Sequence, residues 1–420
     1  MMRVLIYTIG SSGDVHPFVQ LGLALQERGH EIFFITSGHF KWLIDKTGFG
    51  FRELGTEERF QEVQDDPNLW HPVKALPTVM KHAVAPSYEP ILAYARELNL
   101  PGKTGMLCSS LAFGGRNVRD LLGIPMVSVH LAPSLFPSSY RQPVLHGMLI
   151  GQRAPKFLKT LQWKIAAKVM DAMICPELNR FRSGLGLPPL RNMIFDGWHS
   201  PDRVIALFPE WFAAQQPDWP QQTRLTGFPL FDEKGMREVP AELEEFLSAG
   251  EAPVVFTPGS AMKHGHAFFD EAVKALKLMG RRGILLTPFL ETIPANLPPE
   301  IRHFSYVPFS QVLPRAAALV YHGGIGTCAQ TLQAGIPHLI QPMAHDQLDT
   351  LSRVKDLGVG DGIHPKHFKA KRIAEVLGAL LGNQEVRKRA KEMATRFTDT
   401  DWMKNTCELI EETLPAVIKS

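Results

Sequence analysis

Apolar positions along the chain fall into two series of short runs separated by segments of helical spacing. Val4-Leu5-Ile6-Tyr7-Thr8-Ile9 is a continuous, partly β-branched run, as expected of a parallel strand covered on both faces. After a Gly/Ser loop, Phe18, Leu21, Leu23, Ala24 and Leu25 recur at helical spacing, and Gly29-His30 closes that helix. Residues 32–35 then read as a second strand. Strand, loop, helix and strand in such quick succession make a βαβ unit, the building block of parallel sheets. Residues 106–107, 126–129 and 204–208 are further strand candidates.

The pattern restarts at Pro253-Val254-Val255-Phe256-Thr257, a strand ending in Pro258-Gly259-Ser260 and followed by a helix over 267–279. Residues 284–286, 318–321 and 337–340 supply more strands. Between the two series, residues 227–235 are dense in Gly, Pro and charged side chains. The domain boundary is placed there, giving domains over 1–232 and 233–400. Successive helices run on from Lys369, and the last, 401–420, is opened by Trp402. The length of 420 residues also favours two domains, because single cores stop growing near ~250–300 residues. The expected class is α/β, with two Rossmann-like doubly wound domains. In such sheets ligands bind outside the carboxyl ends of the strands, so the loops after strands are where chemistry is sought.

Charge narrows the partners. The chain has 45 Lys+Arg against 42 Asp+Glu, and residues 235–420 alone hold 21 of each sign. Neither half carries the concentrated basic field of a nucleic-acid binder, which counts against a nucleic-acid partner. The four cysteines are far apart and form no C-x-x-C pair. That usage fits a reducing compartment and argues against a disulfide scaffold or a cysteine zinc site. The first residues lack the long apolar region of a signal peptide, and no window reaches ~18 uninterrupted apolar residues. A soluble cytoplasmic protein is expected.

Two loops draw attention. Gly323-Gly324-Ile325-Gly326-Thr327 lies between the 318–321 strand and a helix holding Cys328, Ala329 and Leu332. Its glycines permit close backbone approach, and the first turn of a helix offers unpaired N–H groups to an anion. His322 and Thr327 flank it and can each hydrogen-bond a phosphate oxygen. A ligand-free strand-to-helix turn is the alternative. Neither this loop nor residues 10–13 matches G-x-G-x-x-G, and no G-x-x-x-x-G-K-[ST] occurs, which counts against a dehydrogenase and an NTPase. Downstream, Ala344-His345-Asp346-Gln347 sets a carboxylate beside an amide, able to hold vicinal hydroxyls of a sugar. Helix capping by Asp346 is the alternative.

Taken together, Val307-Pro308…Val312-Leu313-Pro314, His322–Thr327, Ala334-Gly335-Ile336-Pro337 and His345-Asp346-Gln347 resemble the donor-site signature of glycosyltransferases with the two-domain GT-B fold. These are the relatives of glucuronosyl-, sterol and antibiotic glycosyltransferases. Residues 10–18, Gly-Ser-Ser-Gly-Asp-Val-His-Pro-Phe, are similar to the acceptor-side loop of the same group. Asp66-Pro67-Asn68-Leu69-Trp70, Phe208-Pro209-Glu210-Trp211-Phe212, Asp218-Trp219-Pro220 and residues 226–232 resemble the rhamnosyltransferase B chains of rhamnolipid synthesis.

The resemblance implies two domains facing across a cleft, 1–232 binding the acceptor and 233–400 the nucleotide sugar, with the terminal helix crossing back to the first domain. It implies transfer of a hexosyl group, rhamnosyl among the candidates, from a UDP- or dTDP-sugar to a hydroxyl of an apolar acceptor. Inversion is implied, with no bound metal and no cofactor beyond the co-substrate. His322, Gly324, Gly326 and Thr327 would face the diphosphate, with Ser12 and Ser260 approaching the donor. Val307 would meet the nucleobase through its backbone, and Asp346 and Gln347 would hold sugar hydroxyls. Many relatives grip the ribose with a glutamate where this chain has Gln330.

Many relatives also carry a catalytic histidine at the place of Asp14, while the sterol and antibiotic branch has aspartate, as here. Asp14 is therefore the expected base, placed just before a helix whose dipole would depress its pKa, with burial acting the other way. His16 is the runner-up. Phe113, Leu131, Leu135, Phe136, Tyr140, Leu145, Met148, Leu149 and Ile150 read equally as an apolar acceptor wall, for a lipid, hydroxy-fatty acid, sterol or polyketide, and as core. The D-x-D of Asp399-Thr400-Asp401 and the pair His264, His266 are read as inert. The run Arg387-Lys388-Arg389…Lys391 is read as an exposed helix face, with peripheral contact at the inner face of a membrane as its other use. Competing functions are a sugar-nucleotide 2-epimerase and a non-catalytic nucleotide-sugar binder.

Overall fold

A computed structural model of the chain describes residues 1–71, 74–398 and 401–416. Its contacts divide the chain into two units, Met1–Pro229 with Thr400–Ser420, and Leu230–Asp399.

The first unit is built on strands β1 (Arg3–Tyr7), β2 (Glu31–Thr36), β3 (Gly50–Glu53), β4 (Thr104–Cys108), β5 (Met126–His130), β6 (Arg203–Ala206) and β7 (Thr223–Leu225). They pair all-parallel in the order β3-β2-β1-β4-β5-β6-β7. The second unit holds β8 (Val254–Thr257), β9 (Gly283–Leu286), β10 (Ile301–Phe304), β11 (Ala318–Tyr321), β12 (His338–Ile340) and β13 (Gly360–Gly362). These are also all-parallel, in the order β10-β9-β8-β11-β12-β13. Each order runs down to the first strand and then jumps, the doubly wound signature. The jump falls between β1 and β4 in one sheet and between β8 and β11 in the other. Such switch points splay the loops at the carboxyl edge and open a place for a ligand.

The central strands are where the sequence is most apolar. Val4, Leu5, Ile6 and Tyr7 of β1 and Ala318 to Tyr321 of β11 are fully buried, because helices cover both faces of a parallel sheet. The four strands absent from the sequence reading are β3, β7, β10 and β13, which are the four sheet edges. A second unforeseen element is the 29-residue helix Lys156–Gly184. Its outer line bears Phe157, Leu161, Ile165 and Val169 and its inner line Trp163, Ala167, Ile174 and Leu178. Apolar residues on both faces hide the helical period.

The terminal helix Trp402–Ala416 packs within the first unit. Leu414 sits on Gly105 of β4, where a Cβ would come within 2.4 Å of it, and Trp402 covers Gly227. Arg28 grips Glu411 with two hydrogen bonds of 2.7 and 2.6 Å, joined by His30 at 3.0 Å.

Candidate active site

In the second unit, three loops converge at the switch point. The loop after β11 turns at Gly323, which has φ +102 and leaves 2.9 Å between a notional Cβ and Ile340 of β12, and 3.2 Å to Gln347. No other residue fits that conformation and that gap together. Gly324 then caps the helix Ile325–Ala334 without any side chain to pair the first-turn N–H groups. The N–H groups of Ile325, Gly326 and Thr327 have no partner within the helix and point past Gly324. A Cβ on Gly326 would meet nothing within 4 Å. This is the open end of a helix dipole, suited to an anion.

The His322 ring is wedged beside it. A Cβ on Gly259, in the loop after β8, would lie 2.8 Å from the ring, and one on Gly324 would lie 2.5 Å from its Nε2. The absence of side chains on these two glycines thus leaves the room that the imidazole occupies. Burial, aided by His345 nearby, pushes His322 down to about 4, so the ring is neutral at physiological pH. Its Nδ1 is buried without a hydrogen-bond partner among the described residues, an unusual cost unless a ligand supplies the partner.

The loop after β12 is tied down by Gln347. Its Oε1 accepts the N–H of Met343 (2.6 Å) and of Ala344 (3.0 Å), which leaves the amide NH2 as the end that can face a ligand. Asp346 occupies the N-cap position of the helix Gln347–Leu357, yet its carboxylate makes no capping hydrogen bond. Capping therefore does not account for this aspartate.

In the first unit, the helix after β1 starts one turn earlier than the sequence suggests. It spans Ser12–Glu27 with Ser11 at the N-cap, so Asp14 lies inside its first turn rather than before it. The carboxylate folds back to accept the Ser11 N–H at 2.8 Å and the Ser11 hydroxyl at 3.2 Å. Gly10, at φ +135, makes room, since a Cβ there would lie 2.2 Å from Asp14 Oδ2. Removal from water raises the Asp14 pKa against the opposing pull of both Ser11 groups. Burial outweighs these two hydrogen bonds. His16 lies two residues on, about 200° around the helix, and so shares no face with Asp14.

Residues 4–85 match the glycosyltransferase family 28 N-terminal domain, and residues 290–402 match the erythromycin biosynthesis protein CIII-like C-terminal domain. The chain is similar to O-mycaminosyltylonolide 6-deoxyallosyltransferase of Streptomyces fradiae, at 28% identity over 98% of this chain and 97% of that one. The glycosyltransferase of kitacinnamycin shares the fold with a TM-score of 0.76, at 18% identity over 99% of both chains. A spinosyn rhamnosyltransferase complexed with thymidine diphosphate does so with a TM-score of 0.68, at 16% identity over 98% of this chain and 99% of that one. The chain is a glycosyltransferase of the GT-B fold.

The remaining residues expected at the site lie as follows. Ser260 is exposed in the loop after β8, next to Gly259. Val307 is buried after β10, at the same carboxyl edge of the sheet. Thr327 is half-buried, and its carbonyl accepts the Thr331 hydroxyl at 2.6 Å, while Gln330 is buried on the second turn of that helix. Ser12 is half-buried at the first helical position beside Ser11. The sequence reading did not single out Gly10 or Gly259, the two cradle residues. Their signal was present, a glycine where the chain leaves a buried strand.

The apolar set of the glycosyltransferase divides. Phe113 packs edge-on against Trp198, and Phe136 is fully buried and stacked on Trp219, so both are core. Leu145 and Met148 pack on the Trp163 cluster. Tyr140 and Leu149 are exposed. His264 and His266 are exposed, and no group able to hold a metal occurs among the described residues. Asp399 and Thr400 lie outside those residues. Within the basic run, Arg389 pairs with Glu385 at 2.8 Å and Lys388 with Glu392 at 3.8 Å on their own helix. No described helix is long and apolar enough to cross a membrane.

Proposed function

We propose that this glycosyltransferase moves a hexosyl group, with inversion, from a dTDP- or UDP-sugar to a hydroxyl of an apolar alcohol such as a polyketide, sterol or hydroxy-fatty acid. The supporting observation is the side-chain-free helix end at Gly324 beside a neutral imidazole with an unpartnered Nδ1. Backbone N–H groups and His322 would stabilise the charge that builds on the departing diphosphate, the largest electrostatic demand of the reaction. Gly326 and Thr327 belong to the same cradle, and Ser260 and Ser12 approach the donor. Val307 meets the nucleobase and Gln330 the ribose. Asp346 accepts, and the Gln347 amide donates, hydrogen bonds with the sugar hydroxyls.

Asp14 is the base we assign, with His16 as the competitor. A raised carboxyl pKa makes Asp14 a stronger base than an exposed aspartate. The S. fradiae relative is by name a 6-deoxyallosyltransferase, and the spinosyn relative is a rhamnosyltransferase found with thymidine diphosphate. Both favour a deoxyhexose, and the second favours dTDP as its carrier, so dTDP-rhamnose is the donor to try first. The experiment is release of dTDP from dTDP-rhamnose and related sugars. Release that requires an apolar alcohol, with a β- or α-linkage opposite to that of the donor, supports the proposal. Release independent of any acceptor contradicts it.

A further inference from the structure

The helix Lys156–Gly184 is covered on one face only. Phe157, Leu161, Ile165 and Val169 recur every four residues along its outer line, so they stand one above the next. Their exposures are 69, 53, 57 and 52%, and Leu149, just upstream, is 91% exposed. Apolar side chains scattered singly over a surface are ordinary, but a continuous line of large ones marks an interaction surface.

Charge identifies the partner. Residues 141–170 contain Arg141, Arg153, Lys156, Lys159, Lys164 and Lys168, and no acidic residue. Lys159 turns inward and donates to the Tyr140 carbonyl at 2.8 Å. Arg153, Lys156, Lys164 and Lys168 are exposed, and Lys164 and Lys168 follow Leu161 and Ile165 by three residues, which sets them beside the apolar line. In a chain of net charge +3, this is a local excess of one sign. A second copy docking here by two-fold symmetry would bring the basic face against itself, and the cores of protein interfaces are depleted in lysine. An apolar line flanked by lysines suits an interfacial helix on anionic lipid, with the long side chains reaching back to the headgroups.

We propose that this face of the first unit docks on the surface of an anionic lipid bilayer. The inference is independent of the donor site. It is tested by sedimenting the full chain with phosphatidylcholine vesicles that contain or lack phosphatidylglycerol. Binding to the phosphatidylglycerol vesicles alone is expected, weakened roughly fivefold by each of Lys164→Gln and Lys168→Gln. The double variant Leu161→Ser/Ile165→Ser should abolish it while leaving the thermal unfolding midpoint and dTDP binding intact. Absence of binding overturns the proposal, as does binding that neither pair of substitutions alters. Sedimentation velocity without lipid reads the competing occupant: a dimer dissolved by Leu161→Ser/Ile165→Ser overturns the bilayer in favour of a second copy.

Discussion

Asp14 carries a structural role beside the chemical one proposed for it. Its carboxylate completes a capping box with Ser11, and such a box contributes about 1 kcal/mol to helix stability. Asp14→Asn keeps much of the capping geometry and removes the base. Turnover is expected to fall by roughly 10²- to 10⁴-fold, the usual worth of a general base, with the thermal midpoint little changed. In the wild type, turnover should rise with pH through an apparent pKa above the ordinary carboxylate range, because burial raises this group. Near-normal turnover of Asp14→Asn beside an inactive His16→Ala would move the role to His16. The residue types at the site were legible in the sequence, since His322, Asp346 and Asp14 each follow a recognisable strand. What the sequence did not carry was their local pairing. That Gln347 spends its oxygen on Met343 and Ala344, and that Asp346 does not cap, are matters of backbone path.

At the scale of elements, the strands read from sequence are those buried on both faces, and those missed are the sheet edges. Gly360-Asp361-Gly362 and Gly50-Phe51-Arg52-Glu53 contain few apolar residues because one side of each meets no further strand. Pairing with β12 and β2, not local pattern, makes them strands. The Gly323–Thr327 loop, proposed to hold the donor, separates fold from binding in a testable way. Gly324→Ala would push a Cβ to within 2.5 Å of His322 Nε2, so it should displace the ring and weaken dTDP about tenfold or more. Gly326→Ala meets nothing within 4 Å in the protein, and alanine is the better helix former. It should leave the thermal midpoint unchanged or raised, yet weaken dTDP binding if the diphosphate occupies that space. Calorimetry and thermal unfolding on the two variants read both effects.

For the whole molecule, several buried imidazoles set the response to acid. His199 and His322 are held near 4, His338 near 3, and His130 well below its ordinary value, all chiefly by burial. Unfolding frees each to take up a proton, so between about 6.5 and 4 the unfolded chain binds more protons than the folded one. Stability must therefore fall as pH falls through that window, and the thermal midpoint should drop between pH 7 and pH 5. Below the ordinary glutamate range Glu411, lowered to about 2 by Arg28 and His30, adds to the loss. Asp14, with its raised pKa, acts in the opposite direction, but one group does not offset four. A midpoint flat from pH 7 to pH 5 would contradict this account of the core. The two-unit division needs only length and pattern, whereas the proposed use of a neutral histidine rather than a fixed charge for the donor rests on burial, with His345 adding to it. That use is also the central claim, and calorimetric titration of dTDP into the wild type and His322→Ala tests it most directly. The account predicts saturable binding to the wild type, independent of histidine titration between pH 6 and 8, and roughly 10- to 100-fold weaker binding to the variant. Equal affinity in the two proteins, or no binding of dTDP or UDP to the wild type, would contradict it.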